Sequence, residues 1–226
     1  MKNTIKNLFF LPFMAAVGLF MILPGCKKTD KTYYAYENKI QEFDGTALGY
    51  LKSQTGQYDS LLLVLNRLPA LQDSLENKNL TVFAVSNRSF ESAIKNLNVT
   101  RKMELKAPIY LATADLSELE IMVCKYLIAG KTKSDDYMSY SDGLHVKTLL
   151  HNYPMHILYS KASASGLING GPQILTYSDP RGSIFVKFWQ RSPTNAVNIL
   201  THNAIVNILA PSHEFGFNEF TQRINK

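Results

Sequence analysis

The side chains able to do chemistry in this sequence are five histidines, two cysteines and a few paired acids. His145, His151 and His156 fall on two expected neighbouring strands and their connection, while His202 and His213 come later. A zinc site needs ligands held on one rigid face, and no His-x-x-x-His or Cys-x-x-Cys spacing supplies one. Hydrolase signatures of the Gly-x-Ser-x-Gly or His-Glu-x-x-His kind do not occur. Asp135 and Asp136, with Asp142, could offer oxygens to calcium, but the EF-hand order is absent and a solvated acidic loop accounts for them. Cys124 lies in the apolar run Ile121–Leu127 with no His or Arg nearby to lower its pKa, so a small buried hydrophobe is expected rather than a reactive thiol. No metal, no other cofactor and no catalysis are expected.

The other cysteine has a different setting. Lys2 and Lys6 precede an almost unbroken apolar run, Leu8 to Leu23, that ends in Leu23-Pro24-Gly25-Cys26. This resembles a bacterial lipobox, in which Cys26 is lipidated and becomes the new N-terminus. Pro24 departs from the usual residue there. An uncleaved transmembrane anchor is the alternative, disfavoured because Pro12 interrupts the run and Cys26 sits where a cleavage site belongs. Residues 1–25 are therefore expected to be a signal peptide, and residues 26–42 the lipidated cysteine and a polar tether. The implied place is the cell envelope, on the outer membrane of a Gram-negative-type bacterium, with the membrane itself a partner through the N-terminal lipid. The 24 Lys+Arg, less Lys2 and Lys6, stand against 18 Asp+Glu, so the formal charge falls from +6 to +4. This balance is scattered, without an Arg-rich stripe, and nucleic acid is not expected as a partner. With Cys26 lipidated, Cys124 has no disulfide partner.

The elements that must position anything else are organised around Leu80–Phe90. Thr81 to Val85 reads as a buried strand, and Ser86 or Asn87 is expected to cap the following helix, whose face carries Phe90, Ile94 and Leu97. Near the other end, Asn198-Ile199-Leu200-Thr201-His202-Asn203-Ala204-Ile205-Val206-Asn207-Ile208-Leu209 has the pattern of a hydrophobic hairpin. Together the two stretches resemble the paired signature segments of the fasciclin-like domain family. The first, through Thr81, Val82, Phe83, Ala84, Asn87 and Phe90, is similar to that family's Thr-Val-Phe-Ala-Pro-Thr-Asn-x-x-Phe. The second has His202-Asn203-Ala204 where the family has Thr-Asn-Gly. Tyr126 matches the tyrosine of a family Tyr-His pair, but Leu127 replaces the histidine. Asn198-Ile199-Leu200 stands where animal adhesion members carry an acidic triplet linked to integrin binding; the acid is an amide here.

The resemblance implies one fasciclin-like domain, residues 43–221, of α+β class: a strand-rich wedge or sandwich with a helical layer from the first half. Helical spacing marks Leu48 and Leu51, then Tyr58, Leu61, Leu62 and Leu65 up to Pro69. A helix capped at Asp115 or Ser117 carries Leu116, Leu119, Met122, Val123, Tyr126 and Leu127. Strands are expected over His145–Leu150, Met155–Ala162, Ile174–Ser178 and Ile184–Gln190, with an exposed loop around Ser163–Pro172. In the last of these strands, alternation puts Phe185, Lys187 and Trp189 on one face. They are either packed under a helix, which is the preferred expectation, or an exposed ledge able to stack on sugar rings. The tight reversal is expected to be a loop with Asn203 alone left-handed and Ala204 extended. The implied role is adhesion or interaction with a surface macromolecule, a protein or glycan. The alternative is a glycan-binding accessory of an outer-membrane nutrient-uptake complex.

Overall fold

The computed structural model describes residues 40–163 and 168–226. The signal peptide, Cys26, the tether before residue 40 and Gly166 lie outside them. Among the described residues no helix is long and apolar enough to cross a membrane.

The fold is α+β. Strand β1 (Gln41–Glu42) leads into three short helices, α1 (Ala47–Ser53), α2 (Asp59–Asn66) and α3 (Pro69–Asn77). Pro69 ends α2 as expected, but it also opens α3 at the first helical position, where its missing N–H costs nothing. Strand β2 (Leu80–Ala84) and helix α4 (Asn87–Met103) follow, then α5 (Leu116–Cys124) and β3 (Leu127–Ala129). The second half is β4 (Leu144–Lys147), β5 (Pro154–Lys161), β6 (Gln173–Asp179), β7 (Gln190–Leu200) and β8 (Ala204–Leu209), closed by α6 (Phe220–Ile224). These elements overrun the expected bounds of 43–221: β1 pairs with β7, and α6 buries both Phe220 and Ile224.

The strands form one sheet in the order β3-β2-β8-β7-β6-β5-β4, with β1 alongside β7. Neighbours are antiparallel except for β2 with β8 and β1 with β7. An isolated bridge from Ile128 to Thr148, with Leu149 N–H donating to the Leu127 carbonyl at 2.8 Å, brings the two ends of the sheet together. The result is a nearly closed wedge in which β2, between β3 and β8, is buried on both faces. Phe83 stacks flat on Tyr177 with centroids 3.8 Å apart, and Phe90 stacks on Phe215 at 4.1 Å, so the chain end is pinned to α4 by an aromatic.

Several local expectations change. Ser86 holds the N-cap position of α4, but its hydroxyl makes no cap hydrogen bond. Asn87 faces the other way: its Oδ1 accepts from Ser60 N–H at 2.8 Å and so caps α2, while Nδ2 donates to the Gly56 carbonyl at 3.0 Å. Asp115 does cap α5, accepting from Glu118 N–H at 3.0 Å. Leu116, placed on its buried face from sequence, is exposed, and the helix stops at Cys124 before Tyr126. In the hairpin, Asn203 is not left-handed; the positive φ falls on Asn198 (61°), inside a bulge of β7. Ala204 is extended, as expected.

Candidate functional site

The segment Ile184–Gln190 is not a strand. Arg181 (φ 50°) and Gly182 (φ 71°) turn the chain out of β6, and Ser183 N–H donates to the Pro180 carbonyl at 2.9 Å. A single 3₁₀ turn, Val186–Phe188, follows, and the strand begins only at Gln190. The loop holds itself together. Ser183 Oγ accepts from Phe185 N–H at 3.1 Å, the Ser183 carbonyl accepts from the Trp189 indole N–H at 2.8 Å, and Trp189 N–H reaches the Val186 carbonyl at 3.1 Å. Period-two alternation therefore does not apply, and packing beneath a helix is ruled out for most of this segment.

The apolar side chains point outward. Ile184 is 84% exposed, Phe185 59%, Val186 49% and Phe188 57%. Phe185 and Phe188 meet edge to face at 6.3 Å, and the Lys187 ammonium lies 4.9 Å above the Phe188 ring. Trp189 does not share this exposure. It packs on the outer face of the sheet against His156 at 4.8 Å and His145 at 5.6 Å. Of the three residues grouped from sequence, Phe185 and Lys187 are thus displayed to solvent and Trp189 is half-buried at the base of the loop. Burial holds the His156 imidazole below its ordinary pKa; its hydrogen bond to the Asp142 carbonyl opposes that, and His145 and Arg191 add to it.

The signature residues are scaffold. Thr81 is fully buried, donating to the Gly130 carbonyl at 2.7 Å and accepting from Thr132 N–H at 3.0 Å. Val82, Phe83, Ala84 and Phe90 are core. Tyr126 loses the adjacent histidine but receives one from the tail: its hydroxyl lies 2.8 Å from His213 Nε2. Asn203 ties the closing turn to three elements, accepting from Ala47 N–H of α1 at 2.9 Å and donating to the carbonyls of Leu75 and Lys78 at the end of α3 at 3.0 Å each, while its own carbonyl accepts from Leu80 N–H of β2. The Asn198 side chain is buried too, accepting from Ser134 N–H at 2.8 Å, so the triplet Asn198-Ile199-Leu200 offers its first two residues to the interior and not to a receptor.

A buried ionic cluster went unforeseen. Lys125 Nζ sits 2.6 Å from Asp179 Oδ2 and 2.9 Å from Glu219 Oε2, with Lys125 and Asp179 side chains inaccessible to solvent. Tyr153 donates to Asp179 at 2.9 Å, and Arg223 pairs with Glu219 at 2.7 Å. Burial works against the Glu219 charge, but hydrogen bonds from Arg223 and Lys125 outweigh it and hold its carboxyl below the usual range. A lone lysine inside the apolar run Ile121–Leu127 was the available signal. Every member of this cluster is satisfied within the protein. Cys124 is buried, and burial with Glu120 nearby pushes its thiol up to about 12, which makes it an unreactive packing group. Among the described residues no cluster of three His, Cys, Asp or Glu side chains could hold a metal ion. An open cleft of about 400 Å³ beside the hairpin is lined by the exposed Glu42 and by groups paired with one another, His202 with Asp44 and Lys131 with the carbonyls of Thr201 and His202.

No protein-family model matches this chain, and no curated protein does. Among solved structures the chain is similar to a FAS1 domain pair from the insect cell adhesion molecule fasciclin I, at 14% identity and a TM-score of 0.43. The match covers 76% of this chain and 46% of that one, so the chain spans about half the length of its neighbour.

Proposed function

We propose that this chain is a fasciclin-like, non-catalytic binding module, held in a bacterial cell envelope by a lipid on Cys26, and that it meets its partner through the loop between β6 and β7. The observation that carries this is the loop itself. Four large apolar side chains are displayed by a turn whose own polar groups are bonded internally, an arrangement that spends solubility and contributes nothing to the core. Lys125, Asp179, Tyr126 and His213, by contrast, are paired inside the scaffold. A glycan ledge is the weaker alternative, because Trp189, the broadest ring, is taken up by His145 and His156.

A photo-reactive phenylalanine analogue at position 185 or 188, expressed in the producing cell, is expected to give adducts that the same analogue at Met103, 80% exposed on α4, does not give. Equal adducts at Met103, or none at 185 and 188, would overturn the contact surface. Intact-mass measurement tests the anchor: Met1 retained without acyl mass would overturn it.

A further inference from the structure

We infer that the partner of this loop is the headgroup layer of an anionic lipid bilayer, which the loop enters while the adjoining sheet face lies against the surface. The inference rests on the loop being the contact surface, and it adds what the surface contacts. The loop is self-bonded, and its displayed side chains are aliphatic as well as aromatic, with Ile184 the most exposed of the apolar ones. Such a tip has no groove to receive a peptide. It suits insertion into a fluid apolar layer, where side chains enter without a matching pocket.

The charge around the tip points to the sign of that layer. From Pro180 to His213 the sequence contains no Asp or Glu, while Arg181, Lys187 and Arg191 lie within it. His145, His156, Ser178 and Arg191 stand opposite one another across β4, β5, β6 and β7, so they share one face of the sheet. Lys147, two residues from His145, projects to that face as well. Arg181 is partly committed to Glu219, at 3.6 Å. No ion pair among the described residues involves Lys147, Lys187 or Arg191, and all three are exposed. The exposed Asp142, whose carbonyl meets His156, lies at this face, and the half-buried Glu214 shares a small hollow with Arg191 while bonded to Asn96. An apolar tip bordered by exposed cations without ion-pair partners, over an indole half-buried at its base, is the distribution that an anionic membrane interface complements.

Trp189 is the single tryptophan of the chain, so its fluorescence reports on this site alone. The soluble chain from Lys27 onward, which keeps every element described above, is mixed with phosphatidylethanolamine vesicles containing phosphatidylglycerol and, separately, with phosphatidylcholine vesicles. Flotation with the anionic vesicles is expected, with quenching of Trp189 by lipids brominated near the headgroup and little binding to phosphatidylcholine. Phe185→Ser with Phe188→Ser is expected to weaken binding roughly tenfold or more. Removing cations by Lys187→Gln and Arg191→Gln should weaken it about fivefold each. All four positions are exposed, and Ile184→Asn gives a second apolar test should a phenylalanine variant melt early. Absence of binding to anionic vesicles, equal binding to phosphatidylcholine, or indifference to these substitutions would overturn the inference. If adducts from 185 and 188 are then found on a protein, the contact surface stands and only the lipid partner falls; if adducts are also absent, both fall.

Discussion

The hydroxyl of Tyr126 lies 2.8 Å from Nε2 of His213, and the same oxygen accepts the N–H of Gly216 at 2.7 Å. With Gly216 donating to the oxygen, the phenol proton is free to point at Nε2, which requires a neutral imidazole. Burial agrees: it lowers His213 from its ordinary 6.5 to about 3. Tyr126, fully buried, is itself raised well above its ordinary value, so it keeps the proton it donates.

The first prediction follows from this pair. Between pH 6.5 and about 3 the unfolded chain carries a proton on His213 that the folded chain does not. Unfolding free energy therefore rises with pH across that window. The stability is fully present above 6.5 and is lost as pH falls toward 3. Comparing pH 7 with a pH near 4.5, His213→Gln should lose about 2–3 kcal/mol less than the parent. Denaturant titrations at the two pH values measure it, and identical losses would mean His213 is not the neutral acceptor.

A second prediction concerns Lys125 and Asp179, 2.6 Å apart and without solvent access. Asp179→Asn leaves the buried Lys125 ammonium with Glu219 as its remaining counter-ion, so it should cost about 3 kcal/mol, the low end for a broken buried pair. Lys125→Met on its own should cost about 3–5 kcal/mol. The double substitution should cost clearly less than the two added, because no buried charge is stranded. Additive losses in a double-mutant cycle would show that the pair is not coupled.

The helical entry, the buried strand and the closing hairpin were legible because each is written in local periodicity. Val82 and Phe83 lie in an apolar run flanked by turn residues, and Leu61 and Leu65 recur at helical spacing. What failed was read from the same signals where a tertiary contact overrides them. Asn87 looks like a cap for its own helix, yet α2 packs close enough to take its side chain. Ile184–Trp189 has the composition of a strand, but the Arg181-Gly182 turn and the Trp189-to-Ser183 bond fold it back before it can pair. The Lys125 cluster joins residues from three distant stretches, and no local pattern encodes that meeting. The candidate surface was thus visible as residues and not as a shape.

A third prediction concerns Leu127, which is 2% exposed at the start of β3. Tyr126 already takes its histidine from the tail, so a second imidazole at Leu127 would enter an apolar site with no acceptor waiting. Leu127→His should destabilise the domain by about 1–3 kcal/mol in denaturant unfolding. Unchanged or greater stability would show that a polar partner is within reach of this position.

The last prediction separates two reasons for an asparagine in the closing turn. If Asn203 served a left-handed backbone, glycine there would do as well or better. Its φ is not positive, and its side chain instead accepts from the first N–H of α1 and donates to two carbonyls at the end of α3. Thr201 meanwhile closes the reversal, its N–H donating to the Ala204 carbonyl at 2.9 Å and its hydroxyl accepting from Ala204 N–H at 2.9 Å. Asn203→Ala and Asn203→Gly should therefore both cost roughly 2–3 kcal/mol, the glycine variant the more because of its unfolded-state entropy. Ala204, buried and extended, gains nothing from glycine: Ala204→Gly should lose up to about 1 kcal/mol. Thermal and denaturant unfolding of the three variants would decide it. Asn203→Gly as stable as the parent would return the role of Asn203 to backbone conformation and remove the tie between the turn and the helical layer.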